Sequence, residues 1–434
     1  MERIAVGLLG VGTVGAGVVR LLGDRAEQIA ARAGKRVDLK WAAVRDLKKK
    51  RPVSLEGITL VNDLRRVIDD PEVAVIIETM GGVEVTLPVV LDALAAGKDV
   101  VTANKALLAE HGREVFAQAR KYGRAVAFEA SVGGGIPIVQ ALEVGLAANR
   151  VTALAAIVNG TCNYILTKMT REGLPYAVAL EQAQALGFAE ADPTLDVDGT
   201  DTAHKLAVLV QLAFGATVTT AQIPRQGIDR LQPADIHYAG ELGYTVKLLA
   251  LARQQVGEAL ELRVAPTLVK QGTPLAEVRG PYNAVRVVGD AVGDTLFYGR
   301  GAGEMPTASA VVGDLIDVIV GRAALTFRAL NYWSTDAAPP RLATPDAVRS
   351  RYYLRFSIAD RPGAIALLAQ ALGARGISIA SVIQHDPGDD APDGVVPLVI
   401  MTHLAVESAI QSALAEIDRL DVVNPPSVCL GVED

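Results

Sequence analysis

Residues 3–22, RIAVGLLGVGTVGAGVVRLL, decide how the chain folds. Arg3 to Leu9 reads as a buried strand, Gly10-Val11-Gly12-Thr13-Val14-Gly15 follows at once, and Ala16 to Leu22 continues as a helix. In such a unit the first glycine permits a tight turn and the second lets backbone approach a pyrophosphate. The third lets helix pack on strand, and the helix N-terminus receives the charge. Gly10, Gly12, Thr13, Val14 and Gly15 are therefore candidate dinucleotide-binding residues. The uncharged run Ile4 to Val19 is neither a signal peptide nor a membrane span: it is short for a span, carries five glycines and lacks a cleavage site of small residues.

Working outward, strands are predicted at Val37–Val44, Val73–Glu78 and Asp99–Ala103, with helices at Leu87–Ala96 and Leu107–Tyr122. That alternation is a Rossmann-type parallel α/β sheet, placed at residues 1–130. The second strand ends in Val44-Arg45-Asp46, followed by Lys48-Lys49-Lys50-Arg51. An acidic residue there suits a ribose 2′-hydroxyl and an arginine a 2′-phosphate, so Arg45 favours NADP(H) while NAD(H) stays open. The lysine run reads equally well as a solvated loop. Thr102-Ala103-Asn104-Lys105 closes the next strand at the carboxyl edge, where open α/β folds bind ligands. Lys105 there either projects toward the nicotinamide or merely starts a helix at the surface.

A strand over Ala125–Val132 is expected to run into Gly133-Gly134-Gly135-Ile136-Pro137. Beyond it the pattern changes to an α+β region, residues 131–304, with strands at Thr152–Val158, Val246–Ala252, Glu261–Leu268 and Ala284–Val288. Helices are expected there at Tyr164–Glu172 and Tyr176–Leu186. A helix at 305–325 should pack back on the first domain. Ser334–Ser350, with three prolines, has the composition of a linker. Residues 351–434 then read strand, helix, strand, strand, helix, strand, the ferredoxin-like arrangement.

The chemistry is expected at residues 190–205, EADPTLDVDGTDTAHK, where five carboxylates lead to Lys205 at the start of an apolar helix. Asp201 falls in the first turn, favoured by the helix dipole, with Lys205 one turn later on the same face. An ammonium so held is a proton donor; the blander reading is a solvated acidic loop and an ordinary i,i+4 ion pair. A calcium loop fails, because counting from Asp196 the glycine comes fourth and the twelfth residue is Ala207. Cys162, in Asn159-Gly160-Thr161-Cys162-Asn163, invites a thioester mechanism, but no histidine is recognisable as its base. With 434 residues, half apolar and 21% charged, a net charge of -7 and two cysteines, the chain reads as a soluble, cytoplasmic, multidomain protein. It offers no basic field for nucleic acid and no membrane segment.

The chain resembles homoserine dehydrogenase of the bacterial type with a C-terminal ACT domain. The resemblance is carried by the glycine fingerprint, TANK at 102–105, FEASVGGGIPI at 128–138, NGTCNYIL at 159–166, DVDGTDTAHK at 196–205 and GAGEMPTASAVVGD at 301–314. It implies reversible NAD(P)H-dependent reduction of L-aspartate 4-semialdehyde to L-homoserine. Lys205 would be proton donor, Asp201 its partner, and Lys105 a second essential lysine. Glu190 and Asp196 would bind substrate, and Gly303 would join Thr102, Lys105 and Arg45 in binding cofactor. Glu129, with the carbonyls of Val132, Gly134 and Ile136, would hold a sodium ion. Residues 131–304 would be a substrate and dimerisation domain, giving a homodimer or homotetramer. L-Threonine would act at the ACT loop Asp360–Ala364, unless the acidic insertion Asp386–Asp393 leaves that domain to assembly alone. A non-catalytic dinucleotide sensor is the alternative, though it has no use for both Lys105 and Lys205.

Overall fold

A computed structural model describes residues 1–255, 257–334, 339–385 and 394–434. They divide into two compact units: residues 1–160, 200–223 and 281–340, and residues 161–199, 224–280 and 341–434. The division does not follow breaks at 130 and 304, because the chain leaves the first unit and returns to it twice.

The first unit is organised on a six-stranded parallel sheet in the order β3-β2-β1-β4-β5-β6. Its strands are β1 (Arg3–Leu9), β2 (Arg36–Ala43), β3 (Thr59–Val61), β4 (Val73–Glu78), β5 (Asp99–Thr102) and β6 (Val126–Ala127). Each fingerprint glycine has its own reason. Gly10 sits at φ +94°, where L side chains are strained. A Cβ on Gly15 would lie 2.1 Å from the Gly10 carbonyl oxygen, whereas one on Gly12 would meet nothing within 4 Å. Gly12 thus leaves open space above the Thr13–Asp24 helix that it caps.

The expected helix after residue 304 is present as Glu304–Ile319. It buries Ala308, Val311 and Leu315 in one core with Val18 of the Thr13–Asp24 helix and Val6, Leu8 and Val75 of the sheet. Gly17 permits the contact, since a Cβ there would lie 2.8 Å from the Glu304 carbonyl oxygen. Gly321, at φ +83°, ends this run, and a separate helix spans Arg322–Ala329.

Two expectations need correction. The strand expected over Ala125–Val132 is only the two residues of β6, followed by a 3₁₀ turn at Glu129–Ser131. There the Glu129 amide donates to Asp314 Oδ2 at 2.8 Å instead of continuing the ladder. The Ser334–Ser350 segment, of which residues 335–338 are outside those described, is no loose spacer. Leu260 N donates to Arg341 O and Ala343 N to Leu260 O, both at 2.8 Å, and Arg349–Ser350 pairs with Ala405–Val406.

The first unit also holds Val151–Ile157, paired antiparallel with Tyr282–Gly289, which pairs in turn with Gly293–Arg300. In the second unit Tyr244–Gln254 pairs antiparallel with Leu260–Lys270, whose other edge takes Val428–Glu433 in parallel. From there the sheet runs through Tyr352–Ala359 and Val395–Thr402 to Ile379–Ile383. Those last four strands stand in the order 4-1-3-2 and are covered by helices Ala364–Gly373 and Glu407–Ile417, as the ferredoxin-like reading requires. The 386–393 insertion lies outside the described residues.

Candidate active site

The Thr200–Phe214 helix carries Asp201 in its first turn and Lys205 one turn later, while Lys105 opens the Lys105–Tyr122 helix packed against it. The spacing brings all three charges together. Lys205 Nζ donates to Asp201 Oδ2 and to the Val158 carbonyl, both at 2.7 Å. Lys105 Nζ lies 3.0 Å from Asp201 Oδ1. Asn159 Nδ2 adds a 3.0 Å hydrogen bond to Asp201 Oδ2.

Asp201 is 8% exposed. Burial by itself pushes its carboxyl up, but the charges and hydrogen bonds of Lys205 and Lys105 overcome it and hold the group well below the usual carboxylate range. With both lysines protonated, two ammonium groups on one carboxylate leave the cluster one positive charge.

Lys105 is placed by the residues before it. Thr102 is fully buried and its hydroxyl donates to Glu78 Oε2 at 2.5 Å, while the Asn104 amide donates to Thr102 Oγ1. Asn104 caps the helix by accepting from Leu107 N at 3.1 Å and donates to Gly82 O at 2.6 Å. The side chain of Thr102, expected to touch cofactor, is turned inward. Glu78, which sequence reading missed, accepts from the amides of Met80 and Gly81, and burial pushes its carboxyl up. It fastens the 80–82 loop to the base of Lys105. Glu78 and Asn159 both stand at strand ends, and that position was the signal that could have found them.

A cleft of about 1000 Å³ opens above the fingerprint, lined by Gly10, Gly12, Arg45, Lys49, Arg51 and Gly81 among others. The lysine run is therefore partly a wall of this cleft. Arg51 folds the loop by donating to Asp46 O at 2.6 Å and Lys49 O at 2.8 Å. The Asp46 carboxylate accepts the Lys48 amide at 2.8 Å. Thr13 and Val14 lie in the first helical turn, Gly15 is packed beneath, and Gly303, at φ +125°, caps the Glu304–Ile319 helix.

Glu129 is 5% exposed, and its carboxylate accepts from Val139 N at 2.9 Å and Gln140 N at 2.8 Å. Burial pushes it up to about 6. Nearby, burial and then the charge of Glu129 push Glu143 up to about 8 and Asp314 well above its usual range. Gly133 and Gly134, at φ +72° and +50°, turn the chain between Val132 and Ile136. Among the described residues no three His, Cys, Asp or Glu side chains converge to hold a metal ion, so a cation here would rest on Glu129 and main-chain carbonyls.

Glu190 and Asp196 belong to the second unit. Glu190 is exposed, and its carbonyl accepts from Gln184 Nε2 at 3.0 Å. The Asp196 carbonyl accepts from Cys162 Sγ at 3.3 Å. Cys162 is 0% exposed, which gives the thiol a packing role and removes the thioester reading. The structure thus assembles Lys205, Asp201 and Lys105 within the first unit and places the two expected substrate ligands in the other.

Three family models match the chain: homoserine dehydrogenase, NAD binding domain, over residues 10–129; homoserine dehydrogenase over 137–316; and ACT domain over 352–422. The chain is 43% identical to a homoserine dehydrogenase from Pseudomonas aeruginosa, covering 100% of this chain and 99% of that one. It is 42% identical to one from Neisseria gonorrhoeae with the same coverage. The crystal structure of a homoserine dehydrogenase from Thiobacillus denitrificans superposes with a TM-score of 0.92 at 43% identity, covering 100% and 99% of the two chains.

Proposed function

The chain belongs to the homoserine dehydrogenase family of NAD(P)-dependent oxidoreductases, and we propose that its Asp201–Lys205–Lys105 group interconverts L-aspartate 4-semialdehyde and L-homoserine. The observation that carries this is an ionised, buried carboxylate holding two ammonium groups beside a dinucleotide-binding fold. A bound dinucleotide supplies the hydride in reduction and accepts it in oxidation. Lys205 spends two N–H bonds on Val158 and Asp201, and the third is left for the reacting oxygen. It gives that oxygen a proton as the carbonyl becomes an alcohol, an effect of roughly 10²- to 10⁴-fold for a positioned acid. The positive charge of the cluster stabilises the alkoxide-like transition state.

NADP(H) is the preferred cofactor, since Arg45, Lys49 and Arg51 outnumber Asp46 and Glu84 in the cleft lining and offer donors suited to a 2′-phosphate. A sodium ion at Glu129, with the carbonyls of Val132, Gly134 and Ile136, answers the excess of buried carboxylates there. The enzyme works in the cytoplasm as a homodimer or homotetramer; no helix among the described residues is long and apolar enough to cross a membrane. L-Threonine binds the Asp360–Ala364 loop, where the Ala364–Gly373 helix begins, and lowers activity without competing at the catalytic site. Ile365→Asp, an exposed change in that helix's first turn, should abolish threonine inhibition and leave basal activity intact; undiminished inhibition places the effector elsewhere. For the activity, purified protein with L-homoserine and NADP⁺ should show absorbance growth at 340 nm. Its absence in fresh, folded, dinucleotide-binding protein overturns the assignment.

A further inference from the structure

Asp201 has two oxygens and three donors. Lys105 is on Oδ1, while Lys205 and Asn159 share Oδ2. Asn159 is 4% exposed and directly follows Val158, whose carbonyl takes the other Lys205 hydrogen bond. One strand end therefore touches both members of the acid pair. The chain can leave the strand there because residue 160 is glycine: a Cβ would lie 2.9 Å from the Pro281 carbonyl oxygen.

We infer that Asn159 is a positioning residue for the proton transfer, its neutral amide fixing the plane of the Asp201 carboxylate so that one oxygen faces each lysine. The inference rests on the reading of Lys205 as proton donor. A carboxylate held only by the long, flexible side chains of Lys205 and Lys105 could rotate about its Cβ–Cγ bond and let Lys205 swing from the reacting oxygen. A displacement of about 1 Å at such a group costs on the order of 10²-fold in rate. The residue must donate without carrying charge. A lysine or arginine would compete with Lys105 and Lys205 for Asp201, and an ionised carboxylate would repel it.

The groups facing this point are Asp201 and Lys205 from the Thr200–Phe214 helix and Lys105 from the Lys105–Tyr122 helix. The nearby His204–Glu110 pair, at 3.6 Å, also joins these two helices. That arrangement makes Asn159→Asp diagnostic. Two carboxylates sharing one hydrogen bond retain a proton between them at the acid end, and the protonated Asp donates as Asn does. Loss of that proton removes the hydrogen bond and adds repulsion.

The experiment measures kcat and KM of wild type, Asn159→Ala, Asn159→Asp and Lys205→Ala from pH 6 to 9, each as a ratio to wild type, with NADPH binding by fluorescence to establish folding. Asn159→Ala should lose about 10- to 100-fold in kcat at every pH, with the KM for NADP⁺ nearly unchanged. Asn159→Asp should approach wild type at pH 6 and fall steadily toward pH 9. A flat ratio for Asn159→Asp, or an Asn159→Ala enzyme within twofold of wild type while Lys205→Ala is inactive, overturns the inference alone. An active Lys205→Ala enzyme overturns the site reading and the inference with it. Should Asn159→Ala not fold, the Asn159→Asp profile decides.

Discussion

Two buried carboxylate groups in the first unit meet opposite fates. At Asp201, burial is opposed by two ammonium groups and loses, so the carboxylate stays charged. Around Glu129, Glu143 and Asp314 the charges that act are other carboxylates, so burial wins and all three are pushed up. Arg322 lines the same cavity and donates to Asp317. Burial is common to both places and the partner decides. The compensated group has an ionisation state fixed for proton transfer, whereas the uncompensated one keeps its protons to higher pH.

The largest effect comes from removing the compensation at Asp201. Lys205→Ala should lower kcat by about 10²-fold or more while NADPH binding stays nearly unchanged, because the dinucleotide is held by other residues. Asp201→Ala should behave similarly but less severely, since it leaves two lysines without their shared counterion. Steady-state rates beside a fluorescence titration of NADPH check both. A Lys205→Ala enzyme keeping more than about a tenth of wild-type kcat removes Lys205 from the chemistry.

The cleft lining presents the opposite imbalance, three cations, Arg45, Lys49 and Arg51, against the carboxylates of Asp46 and Glu84. If charge excess marks where a charged ligand sits, Arg45→Asp should shift the ratio of kcat/KM for NADPH over NADH by about 10-fold or more toward NADH. An unchanged ratio transfers the 2′-phosphate to Lys49 and Arg51.

What was legible in the sequence is what short range determines. The fingerprint glycines, four of the six strands of the first sheet and the Asp201–Lys205 spacing are set by residues within a turn or a strand of each other, so periodicity and capping reveal them, whereas Thr59–Val61 was missed and Val126–Ala127 was drawn too long. Glu129 was read only through resemblance, and its setting was hidden because Asp314 is 185 positions away. Asn159 meets Asp201 across 42 positions, so only its place directly after a predicted strand, and no periodicity, marks it. The Gly293–Arg300 strand was missed because its flanking glycine and alternating exposed residues resemble a loop. The 334–350 segment does contain a boundary between the two units, at 340/341, but its composition held no sign that Leu260 pairs with the chain on either side of Leu342.

A smaller effect should follow from withholding the cation that the Glu129 group is proposed to need. Replacing sodium with tetramethylammonium should lower activity several-fold, and Glu129→Ala should remove the dependence, because a bulky organic cation cannot enter a carbonyl-lined site. Activity indifferent to both changes argues against the cation.

The smallest effect is on stability, and its sign follows from the direction of the shifts. Glu143 has a folded value of about 8 against a reference of 4.5. The unfolded chain therefore releases its proton first as pH rises. Stability contributed by the protonated form is complete below about 4.5 and is lost progressively up to about 8. Glu143→Gln cannot ionise and should flatten that decline, melting a few degrees above wild type at pH 8.5 and about level with it at pH 4.5. Sodium sharpens the comparison. A cation beside Glu129 lowers the cost of ionising its neighbours, so in saturating sodium the wild-type decline should shrink and the advantage of Glu143→Gln should narrow. An equal advantage in sodium and in tetramethylammonium would mean that the carboxylates carry their buried charge without help, and the contrast with Asp201 would then rest on proton uptake alone.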